Sequence, residues 1–379
     1  MKESIIIRNF GPITEIEIED IRPLTVFIGE SGSGKSTIMK VIILFRWIYK
    51  MVNIRSYLKH SDISQTPFGL EFKPLLIKNG LIDYLKDDTE IIYSRGDNTI
   101  SYLGSLKAYI IVPTEQLSLD KMCFIGDKRN IIPDILANKM DRKTASFYLK
   151  ETLDDTLLAL NQISHLEINY LGVEFVAKKT SSGTKFFIQN RLGNKDYSID
   201  FENSSSGTQT VVPLSLIIEY YSKEYNLVNA FNKTILGYMS ENDQLANFKP
   251  VKNIGDITFK NVHIHIEEPE LSLYPESQRS LLNFIVNRCF IDKPTNYGMT
   301  LMMATHSPYI INHLNLLIMA GSKNSLVENA LLNFEDVDVF EVTDDGYLES
   351  LKRKESFIID TRILSDPISN IYERYDSLK

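Results

Sequence analysis

The run Gly29-Glu30-Ser31-Gly32-Ser33-Gly34-Lys35-Ser36-Thr37 is a complete G-x-x-x-x-G-K-[ST] phosphate loop. It follows the apolar run Leu24 to Ile28 and opens into an apolar, helix-like stretch, Ile38 to Leu44. Strand, glycine loop and helix in that order is the context that gives this motif its meaning. The glycines let backbone N–H groups turn inward around phosphates. Lys35 supplies a point charge, Ser36 a ligand for Mg²⁺, and the new helix its positive end. A loop that merely turned the chain would need neither this spacing nor these flanks. Gly29, Ser31, Gly32, Gly34, Lys35, Ser36 and Thr37 are therefore the candidate binding set for a nucleoside triphosphate.

At 379 residues the chain can hold two or more domains, or one large α/β domain with insertions. A net charge of −8 argues against a broadly basic nucleic-acid surface, though a local groove stays open. Cys123 and Cys289 match no metal or redox spacing, so a reducing cytosol is the default. The N-terminus enters an Ile-rich strand pattern at once, without a secretory signal. Val41 to Val52 is interrupted by Arg46 and Lys50 and is too short to span a bilayer; it reads as a buried helix. A cytoplasmic protein without membrane contact is expected.

Ser4 to Ile7 and Ile13 to Ile18 read as strands joined at Asn9-Phe10-Gly11-Pro12, and Asn53 to Leu106 mixes short apolar runs with turns. Tyr109 to Val112 resembles a buried strand ending at Pro113. From Pro133 to about Ser164 the pattern is helical, with Leu149, Leu153, Leu157 and Leu160 on one face, far too short for a coiled-coil arm. Strand-like runs follow at His165–Ala177, Lys185–Gln189 and Tyr197–Phe201. An apolar helix over Thr210 to Tyr221 then precedes a polar, loop-like region reaching Lys260.

Val262-His263-Ile264-His265-Ile266-Glu267-Glu268-Pro269-Glu270 is an apolar strand with paired carboxylates at its tip, as in a Walker B element. Glu267 would orient Mg²⁺ and its waters, and Glu268 would hold and polarise the water attacking the γ-phosphate. The plainer alternative is an acidic turn capping a helix from Ser272 onward. A glutamate at 267, where many P-loop proteins use Asp, suggests contact with the metal through water. A third apolar strand, from Thr300, ends in Ala304-Thr305-His306-Ser307-Pro308. In a parallel sheet that edge lines the nucleotide crevice, and His306 can donate to the γ-phosphate or the attacking water; otherwise it is a loop histidine held by carbonyls. Ser-Ser-Gly-Thr occurs twice. Ser181–Thr184 lies between strand-like runs and reads as a turn. Ser205, Ser206, Gly207, Thr208 and Gln209 precede an apolar helix, whose N-terminus suits an anion. His263 and His265 face the same side of their strand; with no third ligand in view they read as buried strand histidines.

These elements, in this order, resemble an ABC-type ATPase head of the SMC/Rad50 kind, and more closely the AAA-15/AAA-21 and OLD-like ATPases of prokaryotic antiviral systems. The resemblance rests on Ile7-Arg8-Asn9-Phe10-Gly11-Pro12-Ile13, on Ser205 to Gln209 and on Ile266 to Glu270 with Leu273-Tyr274-Pro275. It rests also on Ala304 to Pro308, with Ile359 to Leu364 and Tyr372 to Leu378 as the ending. It implies a P-loop NTPase fold with a mixed sheet: a single head over 1–379, with its core in 1–120 and 200–379, a short helical and strand insertion near 121–199, and no long coiled coil. It further implies ATP and Mg²⁺ held by Lys35 and Ser36, a head-to-tail dimer in which the partner's Ser206 and Gly207 complete the site, Glu268 as base and His306 as switch. Tyr274 stands where the family commonly has His, and Ser31 where it often has Asn. Gln116 is the best candidate for the glutamine that reaches the metal.

Two functions fit. One is a regulatory ATPase of an antiviral module that controls a separate effector, a nuclease or toxin. The stretch after His306 is too short for an added nuclease domain of typical size. Asp336 and Asp338 sit in strand-like context, but Asp345-Gly346 behind them reads as a hairpin. The alternative is a DNA-repair or chromosome-maintenance ATPase, which predicts DNA-stimulated, salt-sensitive hydrolysis; the missing arms and the negative charge count against it. A transporter subunit is disfavoured by the long gap between Gln209 and Glu267.

Overall fold

β1 (Glu3–Phe10) and β2 (Ile13–Ile18) form an antiparallel hairpin around the expected turn, with Ile5, Ile7, Ile16 and Ile18 buried. All five residues of β3 (Leu24–Ile28) are buried, as a strand covered on both faces requires. The phosphate loop follows and launches α1 (Lys35–His60), then α2 (Phe72–Lys78), β4 (Leu85–Arg95), β5 (Asn98–Leu103) and β6 (Ser105–Lys107). In this computed structural model residues 1–63, 69–181, 183–190, 197–241 and 248–378 are described.

The strand expected at Tyr109–Val112 does not form. Tyr109 is 86% exposed, lying under the Arg55 guanidinium at 5.1 Å, and Ile111 is 54% exposed. The buried strand is β7 (Ser118–Ile125), a few residues later. A short apolar run carries no register by itself. An insertion beginning at residue 121 would therefore cut a core strand.

Next come α3 (Ile132–Leu136) and α4 (Phe147–Leu160), whose Leu149 and Leu153 face inward. β8 (His165–Ile168), β9 (Val173–Thr180), β10 (Gly183–Asn190) and β11 (Ser198–Asp200) form an antiparallel sheet in the order β11-β10-β9-β8. The run expected as one strand, His165–Ala177, is broken by a turn at Asn169–Leu171. The β9–β10 hairpin turns at the first Ser-Ser-Gly-Thr, of which Ser182 lies outside the described residues.

α5 (Ser206–Glu219) is followed by α6 (Leu227–Glu241), where a polar loop was expected. Leu227, Phe231, Ile235 and Met239 recur every fourth residue and are buried, which gives the segment one apolar stripe despite its polar average. Residues 242–247 of that expected loop lie outside the described residues. β12 (Phe259–Glu267), α7 (Pro275–Val286), β13 (Gly298–Thr305), α8 (Pro308–Ser322), β14 (Val337–Val342) and β15 (Leu348–Ser350) complete the central layer. Its strand order is β15-β14-β3-β13-β12-β7, parallel except for the edge strand β15, a mixed sheet. Asp338 lies on β14 and pairs with Lys352 and Arg22.

α1 runs between the two large sheets, which is why residues on nearly all its sides are buried. Phe45 and Tyr49 meet Tyr93 of β4. From the same helix, the Arg46 guanidinium donates to both Glu3 carboxylate oxygens, at 2.7 and 2.8 Å, and lies 2.9 Å from His265 Nε2. Arg46 can only donate, so His265 accepts at Nε2 and donates from Nδ1 to the Cys123 carbonyl. Burial and Arg46 keep that imidazole neutral, well below its ordinary pKa. His263 bonds Thr300 and Asp120. Both strand histidines are thus engaged in the core. Among the described residues no helix is long and apolar enough to cross a membrane.

Burial would raise the Glu3 carboxyl, but Arg46 overrides it and brings the group down to about 2 from 4.5. A depressed carboxyl stabilises the fold above its unfolded value and loses that contribution as pH falls toward about 2. Replacing Arg46 by Ala should lower stability by about 3–5 kcal/mol, because a buried carboxylate is left unpaired. Urea unfolding between pH 3 and 7 checks this: the wild type should weaken on acidification more than the variant does.

Candidate functional site

The register of the central sheet places its carboxyl ends in one row. Ile28 pairs with Thr305, Ala304 with Glu267, and Ile266 with Ile125. The residues that follow, Gly29, His306, Glu268 and Gly126, therefore leave the sheet at the same edge. Glu268 and Gly29 stand two strand spacings apart, roughly 10 Å.

In the phosphate loop Gly34 has φ 111°, a left-handed turn open to glycine at little cost, and its carbonyl accepts the first amide bond of α1 from Ile38. The Lys35 ammonium donates to the carbonyls of Gly29 at 2.9 Å and Glu30 at 2.6 Å. Burial pushes it below its ordinary pKa, while Glu268 and Glu270 pull it upward. Ser31 and Gly32 are exposed, Ser36 is half-buried and Thr37 is buried. Ser33 Oγ is buried without a partner. The loop offers an orphan hydroxyl and a cation, both of which suit a phosphate group.

Glu267, at the tip of β12, is 5% exposed and bonds the Lys40 ammonium at 2.9 Å. Lys40 lies five residues along α1 from Lys35, over the rings of Phe124 and Tyr148. Glu268 is in the left-handed region at φ 44°, strain of order 1–3 kcal/mol for a residue with a side chain. Its amide donates to the Ala304 carbonyl at 2.8 Å. Burial and the neighbouring Glu270 hold its carboxyl above the ordinary range, with His306 opposing them. His306 Nε2 lies 3.8 Å from Glu268 Oε1. The His306 amide donates to Glu270 Oε1 at 2.6 Å, and the other Glu270 oxygen is buried and unpartnered. Glu267, Glu268 and His306 thus gather at one edge with the loop, two carboxylates and an imidazole of the kind that can polarise a water.

Ser205 caps α5, accepting from the Thr208 amide, and Ser205 and Ser206 are exposed. A Cβ on Gly207 would come within 2.9 Å of the Ser272 carbonyl, so the helix start lies against the turn after Glu268. Gln209 is turned inward and donates to the Glu202 carbonyl. It holds the approach to α5 and is not presented with the serines.

Gln116 is not in the cluster. It precedes β7, at the amino end of the strand, and bonds Asn98 and Asp97. The site edge is a strand length away, roughly 26 Å. The expectation followed from placing the preceding strand at Tyr109–Val112, one element too early. The segment at the site is Gly126–Arg129. Arg129, 1% exposed, was missed, as was Lys40; both are single basic residues outside any motif, and only the packing shows their targets.

If the left-handed turn at Glu268 is strained, Glu268→Gly should be more stable than Glu268→Ala by about 1 kcal/mol, reversing the usual penalty of glycine. Thermal melts of the two variants test this; equal stability would contradict it.

A family model described as an AAA ATPase domain matches residues 1–61 and 48–311. No curated protein matches the chain. Among solved structures, CbiO1 from Clostridium perfringens, described as part of the ABC transporter complex CbiONQ, aligns at 9% identity and a TM-score of 0.32, covering 100% of this chain and 98% of that one. The recombination mediator protein RecF of the RecFOR pathway aligns at 10% identity and a TM-score of 0.35, covering 92% of this chain and 98% of that one. Likeness at that level says nothing about the reaction.

Proposed function

From the premise that this chain belongs to the AAA ATPase domain family, we propose that it hydrolyses ATP at sites completed between two copies of itself. The observation that supports this reading is the division of the parts. The phosphate loop, Glu267, Glu268 and His306 share one sheet edge, while the start of α5, where Ser205 and Ser206 are exposed, lies at Gly207 against the Ser272 carbonyl of the turn that follows Glu268.

In this reading Lys35 releases its own loop carbonyls and turns to the β- and γ-phosphates. Ser36 and Glu267 would hold Mg²⁺, for which Glu267 would have to part from Lys40. The metal, when bound, neutralises charge developing on the phosphates. Glu268 accepts a hydrogen bond from the attacking water and receives its proton. A carboxyl held above its ordinary pKa is a better proton acceptor than a free one. His306, 3.8 Å from Glu268, would contact the γ-phosphate and report which species is present. Ser206 and Gly207 of a second copy offer a helix N-terminus to the same γ-phosphate. ATP then joins the two chains and hydrolysis parts them.

The biological role we propose is the control subunit of an antiviral defence module, acting in the cytoplasm with a separate effector, a nuclease or toxin. Support comes from the likeness of the motif set to the OLD-like ATPases of such systems; the matched family is described only as an AAA ATPase domain. Co-expression with neighbouring genes should yield a co-purifying effector, and DNA cleavage by the isolated chain would contradict the assignment. Hydrolysis stimulated by DNA and falling steeply with salt would favour the repair reading instead.

Glu268→Gln should bind ATP and accumulate as a stable dimer, with turnover reduced by about a hundredfold or more. Size exclusion with and without ATP and Mg²⁺ reads the outcome; a monomer in both conditions would refute the shared site.

A further inference from the structure

Four arginines are buried among the described residues, and two of them bond backbone carbonyls: Arg55 donates to the Ala108 carbonyl alone and lies over the Tyr109 ring, whereas Arg129 meets four carbonyls. Arg46 bonds the Glu3 carboxylate and Arg95 the Asp120 carboxylate. Arg129 bonds only backbone carbonyls. Its Nε donates to Thr210 at 3.1 Å, its Nη1 to Gly126 at 3.0 Å and Glu267 at 2.8 Å, and its Nη2 to Glu268 at 2.7 Å. Burying a cation without a bonded anion is costly, and burial lowers this guanidinium to about 10.

The four carbonyls belong to three different segments: the end of β7, the end of β12 and the first turn of α5. Pro213 has no N–H, so the Gln209 carbonyl, next to the Thr210 carbonyl that Arg129 meets, lacks its usual helical partner. A second, weaker tie crosses the same junction, for the Thr210 hydroxyl shares its one proton between the Gly207 carbonyl of its own helix at 2.9 Å and the Leu271 carbonyl at 3.1 Å. Leu271 in turn donates its amide to the Glu268 carbonyl.

We propose that Arg129 is a positioning residue that couples the start of α5 to the backbone of Glu268, so that engagement of Ser206 with a partner's nucleotide sets the Glu268 carboxylate for hydrolysis. The proposal rests on the reading of Ser206 and Glu268 given above. A guanidinium is planar and rigid, so its Nε and Nη2 bonds move together. A displacement of α5 at Thr210 is then felt at the Glu268 carbonyl. The left-handed backbone at Glu268 makes the carboxylate's direction sensitive to that carbonyl. Lysine cannot replace this group, because one ammonium cannot reach carbonyls that Arg129 meets from three separate nitrogens.

The test is a double-mutant cycle on steady-state ATP hydrolysis with Arg129→Lys and Ser206→Ala. Arg129→Lys should melt cooperatively and keep KM for ATP within about twofold, while kcat falls about tenfold or more. In the wild-type background Ser206→Ala should also lower kcat; in the Arg129→Lys background its effect should shrink to less than about twofold. An unchanged kcat in Arg129→Lys, or effects that simply multiply, would overturn the coupling. If Arg129→Lys does not fold, Thr210→Val decides from the other side of the junction: a kcat loss of about threefold at unchanged KM supports the coupling, and wild-type kcat overturns it. Glu268→Gln is run in parallel. Wild-type turnover in that variant would refute the reading of the site itself, independently of Arg129.

Discussion

Parallel pairing of β3, β13 and β12 aligns the ends of three strands that are far apart in the chain. Parallel strands run the same way, so every carboxyl end opens on one edge, and a one-residue slip would turn the side chains over. The glycine loop, His306 and the Glu267–Glu268 pair inherit their proximity from that register. No contact among the site residues themselves would suffice to hold them. Glu267 and Lys40 are bonded, but Glu268 and His306 stand 3.8 Å apart, and the backbone amides of both are fixed by other groups.

The register in turn depends on α1. It leaves the phosphate loop and passes between two sheets, tied to one by Glu3 and to the other by His265 through a single guanidinium. A buried ionic group costs desolvation, and its return is orientation more than stability. Here the orientation fixed is that of the helix whose first two turns carry Lys35, Ser36 and Lys40. The strain at Glu268 is tolerated for the same reason, since a surrounding set of bonds over-determines the backbone.

Much of this was legible in the sequence. The phosphate loop, the acidic tip of β12 and the turn after β13 each carry a residue pattern whose chemistry needs that order of types, and each was placed on the right element. The β1–β2 hairpin and the helix after Ser205 were legible from alternation and from capping. The readings that failed lacked such a constraint. Tyr109 to Val112 is apolar enough for a strand, but Tyr109 is satisfied by Arg55 and the chain pairs later. Gln116 was chosen from that misplaced strand. α6 was hidden because its stripe is thinned by Asn, Lys and Tyr. Arg129 and Lys40 were not legible at all, since their partners are backbone carbonyls and a carboxylate brought near only by the fold.

The central claim is that one nucleotide is held by two chains, and complementation tests it most directly. Lys35→Ala removes the loop cation and Ser206→Arg blocks the helix start; each purified alone should be inactive. Mixed, the two variants form heterodimers with one intact composite site, pairing the loop of the Ser206→Arg chain with the serines of the Lys35→Ala chain. Recovery of ATP hydrolysis on mixing is the predicted result. A mixture as inactive as its components would contradict the shared site.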